Sequence, residues 1–207
     1  ATAAKFFRKR NDKGIKPTPT CVQIRGKYLH NEIEDLYKRY ELIIIESSGQ
    51  DSPELRAALV CPRVKAFYSP FQPSEFDMDT LQTMDEVVYL AQSFNPDLQA
   101  YILFNQSPTH SKVSTLDEAR KTSEDAENML LMKTSLSHRV PFQYAAGDSL
   151  SVVEFELDRM KSMPPYQARK YKPKASIEIC NLYKEIFNEE FTGEITKYFN
   201  TEVAHAE

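Results

Sequence analysis

The reading of this chain turns on Glu41-Leu-Ile-Ile-Ile-Glu-Ser-Ser-Gly-Gln-Asp-Ser-Pro-Glu54. An unbroken apolar run over residues 42–45 ends at Glu46, passes Gly49 and reaches a helix start at Ser52 and Pro53. Apolar residues in succession, without alternation, suit a strand buried on both faces, as in a parallel sheet. Ligands of such sheets sit beyond the carboxyl ends of the strands, where residues 46–50 would lie.

Working outward, the same grammar repeats. Residues 28–40 carry Leu29, Ile33, Leu36, Tyr37 and Tyr40 at helical spacing, and residues 53–60 read as a short helix opened by Pro53. Residues 64–69 and 100–104 are further apolar strands, and residues 20–24 and 131–136 are weaker ones. The second strand ends at Ser69-Pro-Phe-Gln-Pro73, whose two prolines are expected to force the chain out of the sheet. Helices are expected over 2–9, 77–93, 115–131 and 176–187, with Thr115 and Glu118 as a capping box for the third of these. The segment 160–174 is rich in proline and basic residues and reads as an exposed loop. Strand and helix alternate from residue 20 to 136. That pattern indicates an α/β fold, a mostly parallel sheet with helices on both faces.

With 207 residues, 41% hydrophobic and 27% charged, the chain suits a globular protein with a real core. A net charge of −4 does not advertise nucleic-acid binding by the whole chain, although a local patch could act. Cys21, Cys61 and Cys180 are far apart and odd in number, which argues against a disulfide framework and fits a cytoplasmic setting. No apolar run is long enough to span a membrane.

Candidate chemistry is sparse. The five glycines, Gly14, Gly26, Gly49, Gly147 and Gly193, lie at least twelve residues apart, so no phosphate-cradling glycine motif forms from them. Glu46 at a strand end suits a water-mediated magnesium contact or a solvated terminus. Asn105, just past a strand, suits a base edge or a turn. Arg159, Lys161, Arg169, Lys170, Lys172 and Lys174, interleaved with Tyr166 and Tyr171, suit a phosphate backbone or a solvated surface. No nucleophile elbow is present, so a hydrolase triad is not expected.

Residues 40–59, Tyr-Glu-Leu-Ile-Ile-Ile-Glu-Ser-Ser-Gly-Gln-Asp-Ser-Pro-Glu-Leu-Arg-Ala-Ala-Leu, resemble the ParA/MinD-type (deviant Walker) P-loop ATPases, where a "YDLVIIDTPPG" strand precedes a helix of this kind. Val64-Lys-Ala-Phe-Tyr-Ser-Pro-Phe-Gln-Pro-Ser-Glu-Phe-Asp77 is similar to the family's "DLVLIPVQPSPFD", and Phe104-Asn-Gln106 to its "LNR" strand end. Residues 136–154 are similar to its pattern of Arg, Tyr, Ala, Gly, Ser-Val and Glu. The opening Ala1-Thr-Ala-Ala4 resembles the residues just after the family's "D-x-D-P-Q-G" strand end. The likeness spans most of residues 1–187 in register.

The resemblance implies a P-loop NTPase-like three-layer sandwich over residues 1–187, incomplete at its N-terminus, with an acidic tail over 188–207. The family's phosphate-binding loop and its lysines would precede Ala1. The implied activity is an ATP-dependent dimerisation switch for partitioning or positioning plasmid or chromosomal DNA, or a cellular complex, with ATP hydrolysed to ADP and phosphate. Glu46, where the family has Asp, would be the catalytic residue and hold Mg through water. Gly49, Asn105, Ser137, His138 and Pro141 would contact the nucleotide. Arg139, Lys161, Arg169, Lys170, Lys172 and Lys174 would contact DNA without sequence preference. The implied partners are a second copy on ATP and a DNA-binding or adaptor protein. The alternative is a nucleotide-independent adaptor of the same fold, serving conjugative DNA processing or secretion.

Overall fold

The structure, a computed structural model, describes residues 2–24, 26, 29–47, 51–74, 80–109 and 113–199. Its elements run α1 (Thr2–Asp12), α2 (Leu29–Tyr37), α3 (Pro53–Leu59), β1 (Ala66–Phe71), α4 (Leu81–Gln92), β2 (Gln99–Phe104), α5 (Val113–Ser123), β3 (Leu130–Leu131), α6 (Val140–Asp148), α7 (Val152–Ser162), α8 (Pro165–Ala168) and α9 (Lys174–Phe187), with a 3-10 turn at Glu194–Tyr198. The chain is α/β, and the strands form a small parallel sheet in the order β1-β2-β3. Parallel neighbours need long crossovers, and α4 and α5 provide them. Tyr101 lies opposite Leu130, and Ile102 opposite Leu131.

The chain folds as two compact units interleaved along the sequence. Unit 1 comprises Ala1–Lys5, Pro19–Leu103 and Lys112–Leu131; unit 2 comprises Phe6–Thr18, Phe104–Ser111 and Met132–Glu207.

In unit 1, α3 forms because Ser52 caps it, its Oγ accepting the Leu55 N–H at 3.1 Å, with Pro53 in the first turn. Leu55 and Leu59, one helical turn apart, pack with Val87, Ala91 and Leu98. Ala58 packs with Leu29, Ile33 and Cys61. This short helix therefore joins α2 to α4. Buried Asn95 closes the junction. Its Nδ2 donates to the carbonyls of Leu59 (3.0 Å), the last residue of α3, and of Cys61 (3.0 Å) and Val64 (2.8 Å) in the turn that follows. β2, central in the sheet, is apolar and mostly buried from Ala100 to Phe104, as a strand covered on both faces should be.

Several expectations need correction. Residues 42–45 form no strand. Among the described residues they join no ladder, and Leu42 and Ile44 are 58% and 82% exposed. A strand exists only where a neighbour supplies its hydrogen bonds, and no described segment pairs with this one. The same holds for residues 20–24. β1 runs on through Pro70 to Phe71, because an edge strand tolerates a residue lacking an N–H. α5 begins at Val113, so Thr115 lies inside it and cannot be its N-cap. Its last residue is Ser123, well short of 131. Of residues 131–136 only Leu131 lies in the sheet, β3 being two residues long. The segment 160–174 is no simple loop, since it holds the end of α7, all of α8 and the start of α9.

Unit 2 contains the capping box that sequence reading missed. Ser151 Oγ accepts the Glu154 N–H at the start of α7, and the Glu154 carboxylate accepts the Ser151 N–H at 2.8 Å. Buried Arg10 donates from both terminal guanidinium nitrogens to that carboxylate, at 2.6 and 2.5 Å, and also to the carbonyls of Pro17 and Ser149. The Arg10 guanidinium and the Ser151 groups together hold the Glu154 carboxyl at about 2, against an ordinary 4.5. Ala145, Val152 and Ala175 form the core joining α6, α7 and α9, with Phe142, Phe155 and Ile179 against it.

Both anchors can be tested by denaturation. Asn95→Ala takes the donor from the Leu59 and Val64 carbonyls, while that of Cys61 keeps the Val64 N–H, and should lower unfolding free energy by about 2 kcal/mol, read from urea denaturation. Because the folded pKa of Glu154 lies below its unfolded value, its stabilisation is complete above pH 4.5 and is lost as pH falls toward 2. The urea midpoint should drop across that window, and less steeply in Arg10→Gln.

Candidate functional site

In unit 2 the chain leaves β2 at Asn105. The Asn105 Oδ1 accepts the Gln106 N–H at 2.9 Å, and Gln106 adopts φ 54°, a left-handed turn for a non-glycine residue. Ser107 then forms a parallel bridge with Ser137. The Ser107 N–H donates to the Leu136 carbonyl at 2.9 Å, and its own carbonyl accepts the His138 N–H at 2.8 Å. The Leu136 N–H donates to the Phe104 carbonyl at 2.8 Å. Residues 105–107 and 136–138 therefore run side by side. Four expected nucleotide-contacting residues, Asn105, Ser137, His138 and Pro141, fall on these two segments or the start of α6, where Pro141 suits the first turn.

The far side of the 133–139 segment is held by carboxylates on α9. Glu178 accepts the Ser137 N–H at 3.0 Å, the Ser137 hydroxyl at 2.7 Å and the Arg139 Nε–H at 2.8 Å. Glu185 accepts the N–H groups of Lys133 and Thr134 at 2.7 and 2.8 Å. Burial pushes the Glu185 carboxyl up, but hydrogen bonds from Thr134 and Lys133 outweigh it and lower its pKa. Glu178 and Glu185 are seven residues apart, two helical turns, so they project from one face of α9. Their spacing is visible in the sequence; their partners are not.

Asn105 presents its Nδ2 without a partner among the described residues, and its Oδ1 keeps one acceptor position. The buried Ser107 hydroxyl, 3% exposed, has no hydrogen-bond partner among them either. His138 is exposed, with a ring nitrogen 3.2 Å from Gln143 Nε2. These polar groups lie on the two adjoining segments at the exit of a parallel strand.

The basic residues are placed unevenly. Arg139 is ion-paired with Glu178 at 2.7 Å, and Lys161 with Glu194 at 2.8 Å. Both cations are thus ion-paired within unit 2. Arg169, Lys170, Lys172 and Lys174 are exposed or half-exposed. Their segment is anchored from within by Glu156, a fully buried carboxylate missed in the sequence. Glu156 accepts the Tyr171 hydroxyl and the Ser176 N–H, both at 2.7 Å. Burial first, and Glu156 second, push the Tyr171 phenol up to about 12, so it stays a donor. The Arg159 guanidinium lies 5.3 Å from the Tyr171 ring centroid.

Of the residues expected on the phosphate side, both in unit 1, Glu46 is exposed, on a segment that forms no strand. Gly49 lies outside the described residues. Among the described residues no three His, Cys, Asp or Glu side chains converge on a metal position, and no helix is long and apolar enough to cross a membrane. Compared with known families and proteins, the chain matches no family model and no curated sequence.

Proposed function

We propose that the protein is an ATP-dependent switch of the ParA/MinD type, with a P-loop NTPase-like fold. One observation carries this reading: the bridge between Ser107 and Ser137, which sets the Asn105 turn beside the 136–141 segment at the exit of β2. The adenine base would lie there, read by the Asn105 amide and backbone carbonyls. Glu46 would hold a magnesium ion through a water, and the metal would supply charge neutralisation at the phosphates. ATP would join two copies, the dimer would bind DNA or a surface, and hydrolysis to ADP and phosphate would release it. A DNA-binding or adaptor protein would stimulate that step. Arg169, Lys170, Lys172 and Lys174 would contact DNA phosphates without reading sequence. The setting would be cytoplasmic.

A second reading is a nucleotide-independent adaptor for conjugative DNA processing or secretion. It is favoured by exposed Leu42 and Ile44, an apolar segment able to dock on a protein partner.

Isothermal calorimetry separates the two. The switch predicts ATP binding with magnesium, and Asn105→Ala should weaken it about tenfold. ATP binding that is absent from the protein would remove the switch and leave the adaptor. Replacing Arg169 and Lys170 together by Glu should weaken DNA binding at low salt and reduce the slope of log affinity against log salt by about 2. An unchanged slope would exclude this segment from DNA contact.

A further inference from the structure

Helix α1 carries cations to which the ParA/MinD resemblance assigns no role. Residues 6–18 hold five Lys and Arg against a single acid, Asp12, in a chain whose net charge is −4. The helix sorts them by face. Phe6, Phe7 and Arg10 fall on one arc of α1. The two rings are part-buried and meet edge to face at 5.3 Å, and Arg10 is 4% exposed against the Glu154 carboxylate at the start of α7. Arg8 and Lys9 fall away from that arc and are exposed, as are Lys13 and Lys16 just beyond the helix. One buried cation therefore anchors the segment, and its neighbours face solvent.

The exposed four are not neutralised by the protein. None of them forms an ion pair with any described residue, in contrast to Arg10, Arg139 and Lys161. Lys13 donates from its ammonium to the Asp148 carbonyl at 2.7 Å, a neutral acceptor that leaves the charge in place. Among the described side chains of α1, none of the exposed ones is apolar. That composition does not suit a bilayer, where a surface helix inserts an apolar face. Nor does it suit a folded protein partner, whose interface needs apolar or aromatic anchors at its centre. It suits a polymer recognised by charge density, and a nucleic-acid duplex carries one phosphate charge per about 1.7 Å of its axis.

We infer that the exposed cations of this segment, Arg8, Lys9, Lys13 and Lys16, form a second contact for a nucleic-acid phosphate backbone, distinct from residues 169–174 and without base readout. The inference rests on the DNA-binding part of the proposed function and needs no ATP. The Arg10–Glu154 pair fixes which face α1 turns outward.

The test titrates the whole protein onto a labelled DNA duplex by fluorescence anisotropy over a series of salt concentrations, with and without ATP and magnesium. Arg8→Gln combined with Lys9→Gln removes two charges from exposed helix positions that Gln suits, and its urea midpoint should match wild type. This variant should bind about tenfold more weakly at low salt and reduce the slope of log affinity against log salt by about 2. Lys38→Gln combined with Lys121→Gln removes the same charge from exposed positions of unit 1 and should leave the slope unchanged. An unchanged slope in the α1 variant would overturn the inference and leave residues 169–174 as the contact. An equal fall in both variants would overturn it as an effect of net charge alone. A fall in the α1 variant beside an unchanged slope in the Arg169 and Lys170 variant would uphold this contact and remove that one. Wild type that binds no duplex at low salt would overturn the α1 contact and the DNA reading together. Phosphatidylserine vesicles or polyglutamate, bound by wild type and lost in the α1 variant while duplex binding stays, would also overturn the inference and assign the face to lipid or to an acidic protein.

Discussion

Peptide groups that leave a helix or a sheet must still find hydrogen-bond partners, and this protein meets that constraint with side chains. In unit 2 the acceptors are glutamates. Glu154 receives the cap of α7, Glu156 the start of α9, Glu178 the Ser137 amide, and Glu185 those of Lys133 and Thr134. In unit 1 the Asn95 amide closes three carbonyls after α3, and Asp85 receives both the backbone and side-chain amide of Asn128. Hydrogen bonds to charged groups contribute about 1.5–3 kcal/mol each, more than neutral ones, and leaving such amides unpaired costs as much again. Irregular segments are thereby held almost as firmly as regular ones.

That constraint shapes the candidate site. The 133–139 segment has little strand of its own, yet its N–H groups are bound in turn to the exit of β2 and to α9. A segment so held is preorganised, and a ligand binding beside it need not order it first. The anchoring of Tyr171 on buried Glu156 does the same for the cations at 169–174.

How much was legible varies by element. α3 was readable almost to the residue, because Ser52, Pro53 and the Leu55/Leu59 pair are local signals. β2 was readable because a central parallel strand is apolar throughout. The segment 42–45 carries an equally strong apolar signal and forms no ladder. Apolar character shows what a segment can bury; hydrogen-bonded neighbours decide whether it is a strand. The capping box was sought at Thr115 and occurs at Ser151. Both places fit the Ser/Thr-x-x-Glu spacing, and the difference is where the helix begins. Asn105 was singled out by its place after a strand, and Ser137 and Pro141 by the family resemblance; the structure sets Ser137 on a segment adjoining that of Asn105 and Pro141 in the first turn of α6. Glu178, Glu185 and Glu156 went unnoticed because a glutamate on an amphipathic helix looks the same whether it meets water or a backbone amide.

The sequence by itself determined the alternation of helix and strand from α3 to β2, the apolar character of β2, the start of α3 and the scarcity of glycine for a phosphate loop. Those features depend on local propensity and on periodicity, which a linear chain displays openly. Only the tertiary structure decided that Arg10 lies on Glu154, that Arg139 and Lys161 are already paired, that Pro70 stays within an edge strand, and that residues 42–45 stand outside the sheet. Each of these depends on a partner far away in the chain. The strength of an ion pair or a strand ladder lies in that partner's position, which no single stretch of sequence contains.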